Sequence, residues 1–198
     1  MNLDPQAVTP GALYRFMISA IIPRPIAFVS TVDAEGVFNV SPFSYFAPLS
    51  SRPPLLGISI NERSGGPKDT LRNLRASGEF VVNIVNEPML EPMVRSSGDW
   101  PAGESEFAIT GLTPVASERV RAPRVGESPI HFECRLEREV PLGATTFVVG
   151  EIVLVHVTDD IVADGLVDPL KLHAVGRLGG DGYTVVREVI HVQRPVVP

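Results

Sequence analysis

Most apolar segments of this chain follow one another with turns, not helices, between them. Residues 25–32 have the composition of a strand, and a polar turn leads from them into a second apolar segment at 37–40. Two longer strand-like segments, 131–140 and 145–158, are also separated by only a short turn. The strand–helix–strand repetition of a doubly wound parallel sheet does not run through the chain. The pattern therefore predicts a mainly β fold, an antiparallel barrel with helices on its outside and at its ends.

Further strands are expected at 55–60, 80–85 and 183–192. The segment 80–85 is almost continuously apolar, which indicates burial on both faces. Gly150 interrupts the long strand 145–158, and we expect a bend or a bulge there because glycine weakens a regular strand.

The chain is predicted to begin with a helix over about 10–21. Thr9 is a suitable N-cap, and Pro10 fits the first helical position. Leu13, Phe16, Met17 and Ala20 fall on one face of this helix, at the spacing of an amphipathic helix.

A second helix is predicted from Asp69, which can cap it, to the residue before Gly78. The segment 86–126 is rich in proline and is expected to be a long excursion packed over the core. Short helices are expected within it, at 90–96 and 104–109.

One domain is expected over 1–198, with a core of about 23–192. The 198 residues are 44% apolar, which is enough for a single core without metal or disulfide support. The single cysteine, Cys134, excludes an intramolecular disulfide framework. The four histidines lack the spacing of metal ligands, so no metal site is expected.

The charge of the chain excludes several classes of partner. A net charge of −6 argues against a nucleic-acid partner, because such proteins need a basic surface. The longest apolar stretch, 147–157, is interrupted by Glu151 and His156 and is too short to span a membrane. The first residues lack the basic start of a secretory signal, so we expect a cytoplasmic protein.

Residues 41–51 (SPFSYFAPLSS) place aromatic rings among serines and prolines. We predict that this segment is too irregular for the interior of a strand. Its backbone N–H groups, hydroxyls and ring faces suit a planar polar ligand such as an isoalloxazine. The alternative is an ordinary loop whose aromatic side chains fill the end of the barrel.

Lys68, Asp69 and Thr70 stand at the start of the second predicted helix, just after Arg63 and Ser64. The N-terminus of a helix attracts anions, and Lys68 adds a full positive charge. This is a candidate phosphate site without a Walker sequence. The alternative is a capped surface helix with a solvated lysine.

The segment 176–183 (GRLGGDGY) contains closely spaced glycines that allow the backbone to approach a ligand. Arg177 could pair with a phosphate or stack on a ring. The segment does not have the dinucleotide-binding glycine pattern. The alternative is a hairpin turn before the last strand.

Taken together and in order, these segments resemble the flavin reductase-like family, the FMN-binding split barrels. The resemblance covers about 23–192. It is carried by RPIAFVSTVDAEGVFNVSPFSYF, PPLLGISI, KDTLRNLRASGEFVVNIVN, SEFAITGLTP, SPIHFECRL, VVGEIVLVHV and GRLGGDGY. It implies a six-stranded antiparallel split β-barrel with peripheral helices. It also implies a homodimer in which each flavin lies in a groove at the subunit interface.

The resemblance also implies which residues contact the flavin. Residues 42–45 would follow the ring and the ribityl chain, and residues 68–70 would hold the phosphate. The implied cofactor-binding residues are Ser30, Thr31, Val32, Pro42, Phe43, Ser44, Tyr45, Lys68, Asp69, Thr70, Asn83, Arg177 and Tyr183. The implied catalytic residues are Ser44, Arg177 and His173.

The activity implied by the resemblance is hydride transfer from NAD(P)H to flavin N5. The flavin would be FMN, with FAD as an alternative. Such a reductase could supply an oxygenase partner in a two-component monooxygenase. A second interpretation is an FMN-holding electron carrier with little NAD(P)H activity. A third is a barrel that has lost the flavin and binds another ligand or serves as a structural dimer.

Overall fold

A computed structural model of the protein describes residues 2–62, 66–101 and 103–196. Its α-helices are α1 (Pro10–Ala20), α2 (Asp69–Ser77), α3 (Leu90–Ser96), α4 (Glu106–Thr110) and α5 (Pro169–Leu172). Short 3₁₀ turns cover Glu87–Met89 and Asp159–Ile161. The strands are β1 (Arg24–Pro25), β2 (Ala27–Val32), β3 (Phe38–Phe43), β4 (Phe46–Ser51), β5 (Pro54–Asn61), β6 (Glu79–Ile84), β7 (Pro114–Val115), β8 (Arg124–Val125), β9 (Ile130–Leu142), β10 (Thr145–Val157), β11 (Val162–Ala163), β12 (Leu166–Val167), β13 (Val175–Arg177) and β14 (Tyr183–Val185).

The main sheet closes on itself through the connection between its two edge strands. Its seven strands have the order β3-β2-β6-β9-β10-β5-β4, and neighbouring strands are antiparallel. The edge strands β3 and β4 are consecutive in the chain, with only Ser44 and Tyr45 between them. Two edges joined by so short a bend have to meet, so the sheet curls into a barrel. The predicted mainly β barrel is confirmed, with seven strands in this sheet instead of six.

The segment 41–51 is more regular than we predicted. Most of it belongs to β3 and β4, and only Ser44 and Tyr45 form a bend. The prediction of an irregular segment was wrong. It gave weight to Pro42 and Pro48 because proline is excluded from central strands. Both strands lie at sheet edges, where a missing N–H group leaves no ladder partner unsatisfied.

The barrel is buried on both faces along β2 and β6. On β2, Ala27 and Val29 face the barrel interior together with Ile58 and Phe80. The alternate residues of β2, which include Phe28, pack on the outer layer. That layer is made up of Val40, Val85, Met89, Met93 and Phe107. The excursion 86–126 therefore covers the outside of the barrel, as predicted, and β6 is buried on both faces.

A glycine stands at one of the register shifts of the long strand β10. The register of β10 against β9 shifts between Val149 and Gly150, which confirms the predicted irregularity. A Cβ atom at Gly150 would lie 2.4 Å from the ring of Phe80. The ring thus occupies the space that a side chain would take, and only glycine fits here.

The predicted helices form, with two differences. Thr9 caps α1 as predicted, but no residue of α1 is buried, and Phe16 is 48% exposed. The start of α2 is shifted by one residue. Lys68 occupies the N-cap position and the Asp69 carboxylate pairs with Arg72, one turn along the helix. Gly78 ends α2 in the left-handed conformation, with φ of 68°.

The last strand is shorter than predicted. β14 ends at Val185, and residues 186–196 have no regular structure. β14 pairs with β13 across the segment 176–183, which therefore forms the hairpin that we considered as the alternative to a ligand loop. Within the described part of the chain, no helix is long and apolar enough to cross a membrane.

A buried polar cluster fixes the excursion to the barrel. Burial alone would raise the pKa of Glu133, but its hydrogen bonds outweigh this effect and lower the pKa. The carboxylate of Glu133 accepts the backbone N–H groups of Glu118 and Arg119 at 2.9 and 2.6 Å, and lies 2.6 Å from Nε2 of His156. The imidazole of His131 lies beside this group, 2.8 Å from the Asn83 side-chain oxygen.

The histidine in this cluster predicts acid sensitivity of the fold. Burial, reinforced by the positive charge of Arg124, lowers the pKa of His131 to about 4. The unfolded chain would bind this proton near pH ~6.5. The unfolded state therefore gains protons first as the pH falls, and the free energy of unfolding decreases between these two values. The complete effect is about 3 kcal/mol.

We expect His131→Gln to flatten the decrease of unfolding free energy between pH 7 and pH 4 by about 2 kcal/mol. The measurement is urea denaturation at a series of pH values. His191→Gln is the matched control, because His191 lies exposed in the C-terminal segment. An unchanged pH dependence in His131→Gln would contradict this assignment.

Candidate functional site

The bend that closes the barrel lies at the centre of a groove. Three cavities of about 150, 260 and 150 Å³ all have Ser44 in their walls. The backbone N–H of Ser59 on β5 donates to the Tyr45 oxygen at 2.8 Å, which holds the bend against the sheet. The groove lies where the edge strands β3 and β4 come together without pairing with each other.

One cavity is mostly apolar. Its wall combines the end of α1 with the bend, and its volume is about 260 Å³. The lining residues are Met17, Ile21, Pro23, Arg24, Pro25, Ser44, Tyr45 and Phe46. Such a surface suits a planar apolar group.

A second cavity combines the bend with the β13–β14 hairpin. Ser44, Arg177 and Tyr183 all line it. The guanidinium of Arg177 lies 4.3 Å from the ring centroid of Tyr183, and its Nη2 donates to the Gly180 oxygen at 2.6 Å. The hairpin thus carries a positive charge to the side of Ser44.

The third cavity reaches the start of α2. Lys68 lines it together with Phe43, Ser59 and Asn61. The Lys68 ammonium lies 5.2 Å from the ring centroid of Phe43. The first N–H groups of α2 have no partner within the helix, so this end of the groove favours an anion.

Arg24 is the main site residue that sequence reasoning missed. It is only 6% exposed, and its guanidinium donates to the backbone oxygens of Ile21 at 2.9 Å and Leu178 at 3.0 Å. Its Nε lies 3.4 Å from Ser44 Oγ, which leaves the Ser44 hydroxyl hydrogen to point elsewhere. The only available signal was an arginine between two prolines at the start of an apolar strand.

A second group that the sequence did not reveal lies behind α2. Thr70 is 1% exposed, and its hydroxyl donates inward to Asn39 at 3.0 Å. Asn39 in turn donates to the buried carboxylate of Glu106. Thr70 therefore turns its hydroxyl toward the protein interior and lines none of the three cavities.

Several predicted site residues lie away from the groove. Ser30, Thr31 and Asn83 have no exposed surface, and Val32 is 7% exposed. Ser30 donates to the Pro123 oxygen, and the Asn83 amide donates to the Phe28 oxygen and to Ser30. Ser30 and Asn83 bond each other, Thr31 bonds Asn39 and Asn73, and none of these residues lines the three cavities.

Some of the remaining predicted residues line the groove and others do not. His173 points to Glu87, with 3.4 Å between Nδ1 and the carboxylate, and it does not line any of the three cavities. Asp69 pairs with Arg72 beside the groove. Arg63 and Ser64 fall outside the described residues. The groove brings together Pro42, Phe43, Ser44, Tyr45, Lys68, Arg177 and Tyr183.

The two ends of the groove offer different chemical groups. Its α2 end offers a cation and helix N–H groups, its middle offers hydroxyl and amide groups, and its far side is apolar with a second cation. It can hold an elongated molecule that is anionic at one end and planar at the other.

The chain matches a known protein family and is similar to several solved structures. The model of the flavin reductase-like domain matches residues 18–173. Nitrilotriacetate monooxygenase component B from Bacillus cereus is 35% identical, with 97% of this chain and 98% of that chain covered and a TM-score of 0.94.

Two further solved structures are similar. The 2-nitrobenzoate 2-nitroreductase NbaA of Pseudomonas fluorescens is 29% identical, with a TM-score of 0.91 over 100% of this chain and 98% of that chain. The flavoredoxin of Desulfovibrio vulgaris (Miyazaki F) is 26% identical, with a TM-score of 0.79 over 97% of each chain. The fold agrees with the split barrels among these neighbours, and the chain belongs to the flavin reductase-like family.

Proposed function

We propose that the groove binds FMN and that the protein is an NAD(P)H:flavin oxidoreductase. The strongest support is the order of chemical groups along the groove. Lys68 and the start of α2 lie at one end, and Ser44 and Arg177 lie at the other. This order matches a phosphate, a polar chain and a planar ring. The ribityl chain would pass Ser59 and Asn61, whose side chains can exchange hydrogen bonds with hydroxyl groups.

The phosphate is assigned to Lys68 and the first N–H groups of α2. Anions bind at helix N-termini because unpaired N–H groups and the helix dipole both attract them. The negative charge of Asp69 is compensated by Arg72, so it does not oppose an anion at this place. A terminal phosphate fits this end directly, which favours FMN over FAD.

The residues around Ser44 are assigned to the ring. When bound, the flavin supplies the hydride-accepting chemistry at its N5. Ser44, whose oxygen faces Arg24, presents its hydroxyl hydrogen as a donor. Arg177, held on Tyr183, would place its positive charge near the ring and could stabilise the negative charge of a bound reduced flavin. The apolar cavity beside α1 has room for the nicotinamide of NAD(P)H.

A direct test is steady-state oxidation of NADH and of NADPH with FMN added. Turnover with either nucleotide supports the reductase. We propose that this reductase serves an oxygenase partner and that it does so in the cytoplasm. The structural similarity to flavoredoxin favours a second candidate, an electron carrier. Tightly bound FMN without NAD(P)H turnover would support the carrier and contradict the reductase.

We also propose that a second copy of the chain covers α1. This helix buries none of its residues, and Tyr14 and Ile21, which are 49% and 60% exposed, stand in the walls of the groove. An apolar helix face beside a ligand groove is costly to leave in water. A homodimer would cover this face and complete the groove.

Loss of the Lys68 charge is expected to weaken FMN binding selectively. Lys68→Ala should raise the Kd for FMN by about tenfold, the equivalent of one charge-assisted hydrogen bond. The Kd for riboflavin, which lacks the phosphate, should stay within about twofold. Fluorescence titration measures both. Lys171→Ala is the matched control, because it removes the other lysine of the chain, far along the sequence on α5. Equal losses for both flavins would argue against a phosphate at Lys68.

Arg177→Met is expected to slow NAD(P)H turnover by about tenfold, because a stabilising charge of about 1.4 kcal/mol is lost. The Kd for FMN should change by less than about threefold. Stopped-flow reduction and flavin titration separate the two effects. A normal reduction rate would remove Arg177 from the catalytic assignment.

Disruption of the α1 face is expected to give monomers. Phe16→Glu places a charge on that face without touching the groove walls, and Val192→Glu is the control in the exposed C-terminal segment. Sedimentation velocity should show a dimer for the unmodified chain and the control, and a monomer for Phe16→Glu. A dimer in all three would mean that another surface forms the interface.

A further inference from the structure

A buried chain of hydrogen bonds runs from α4 to the start of α2. Both oxygens of the Glu106 carboxylate accept from the Asn39 amide, at 2.8 and 2.9 Å, and one also accepts the Val40 backbone N–H at 3.1 Å. Asn39 Oδ1 then accepts the Thr70 hydroxyl at 3.0 Å. Glu106, Asn39 and Thr70 are 7%, 8% and 1% exposed. The chain therefore crosses the interior from one helix to another.

The carboxylate sets the direction of every bond in this chain. A carboxylate only accepts, so Asn39 has to present its NH₂ group to Glu106. The Asn39 oxygen is then left for hydroxyl donors, and Thr70 and Thr31 both donate to it, at 3.0 and 3.4 Å. Thr31 in turn accepts from Asn73 on α2 at 3.1 Å. Two residues of α2 are thus held by one buried charge.

We infer that Glu106 and Asn39 are positioning residues for the phosphate end of the groove, an inference that rests on the proposed function. Thr70 is the second residue of α2, next to the N–H groups assigned to the phosphate. These hydrogen bonds fix the position of the first turn of α2 relative to β3, beside Lys68. Neither Glu106 nor Asn39 lines the cavity at Lys68, so they act through α2.

A positioning role of Glu106 and a purely electrostatic effect of its charge predict opposite changes in anion binding when that charge is removed. Removing a negative charge from the neighbourhood of an anion site should tighten anion binding if only Coulomb forces act. The positioning role predicts the opposite. In Glu106→Gln the amide hydrogens of residue 106 would face those of Asn39, and one of the two amides would have to turn. If Asn39 turns, Thr70 has to accept where it now donates, and the charge-assisted bonds to residue 106 become neutral ones, so the support of the first turn of α2 weakens.

The experiment compares FMN and riboflavin binding in Glu106→Gln. The Kd for FMN is expected to rise by about tenfold, while the Kd for riboflavin stays within about twofold. Glu104→Gln is the matched control, because it removes the same charge from an exposed residue in the same segment. It should leave both constants unchanged.

A second measurement needs no flavin. The backbone N–H groups of Leu71 and Arg72 donate to the Lys68 oxygen at 2.9 and 3.0 Å, so they report the first turn of α2. Hydrogen exchange at these amides should be about tenfold faster in Glu106→Gln than in Glu104→Gln. If Glu106→Gln does not fold, Thr70→Val and Thr70→Ser provide the same test. Only the serine keeps the hydroxyl, and only the valine should lose FMN affinity and protection.

The outcomes separate this inference from the proposed function. Faster exchange together with a selective loss of FMN affinity supports both. Unchanged exchange, tighter FMN binding or equal losses for the two flavins overturns the positioning role, whatever the function. If the unmodified chain binds FMN no better than riboflavin, the phosphate site itself is refuted, and the inference is refuted with it.

Discussion

The closure of the sheet through Ser44 and Tyr45 determines the rest of the structure. β3 and β4 are the two edges of a seven-stranded sheet, yet only these two residues separate them. The sheet has to curl until its edges approach each other at this bend, but β3 and β4 form no hydrogen-bond ladder with each other. A groove is left where the ladder is interrupted, lined by the bend itself and by the elements on either side. The candidate site is therefore a consequence of how this barrel closes.

The elements around the groove are held by buried charges, which explains why a site on a bend can be rigid. Arg24 ties the end of α1 and the β13–β14 hairpin to Ser44. Glu106 holds the start of α2 through Asn39, and Glu133 fixes the excursion to β9. A buried charge is tolerated only when its hydrogen bonds are satisfied. Each of these groups therefore enforces one arrangement of the segments it contacts.

Local patterns predicted the helices and most strands, because turn residues, caps and apolar runs act over a few residues. Thr9, Gly78 and Gly150 behave as their chemistry indicates. The exceptions depend on partners distant in the sequence. Pro42 and Pro48 are compatible with strands only because those strands are edges, and this is a property of the sheet order. Ser30 and Asn83 look like ligand contacts in a motif, but they bond each other in the interior. Glu106 carries no local signal and Arg24 only the two prolines beside it, because their partners come from other elements.

The most direct measurement is a visible absorption spectrum of the purified protein during titration with FMN. We expect a shifted flavin band with a stoichiometry of one FMN per chain, and release of unmodified FMN on denaturation. If the spectrum of free FMN stays unchanged at protein concentrations up to the millimolar range, the groove at the Ser44–Tyr45 bend is not a flavin site.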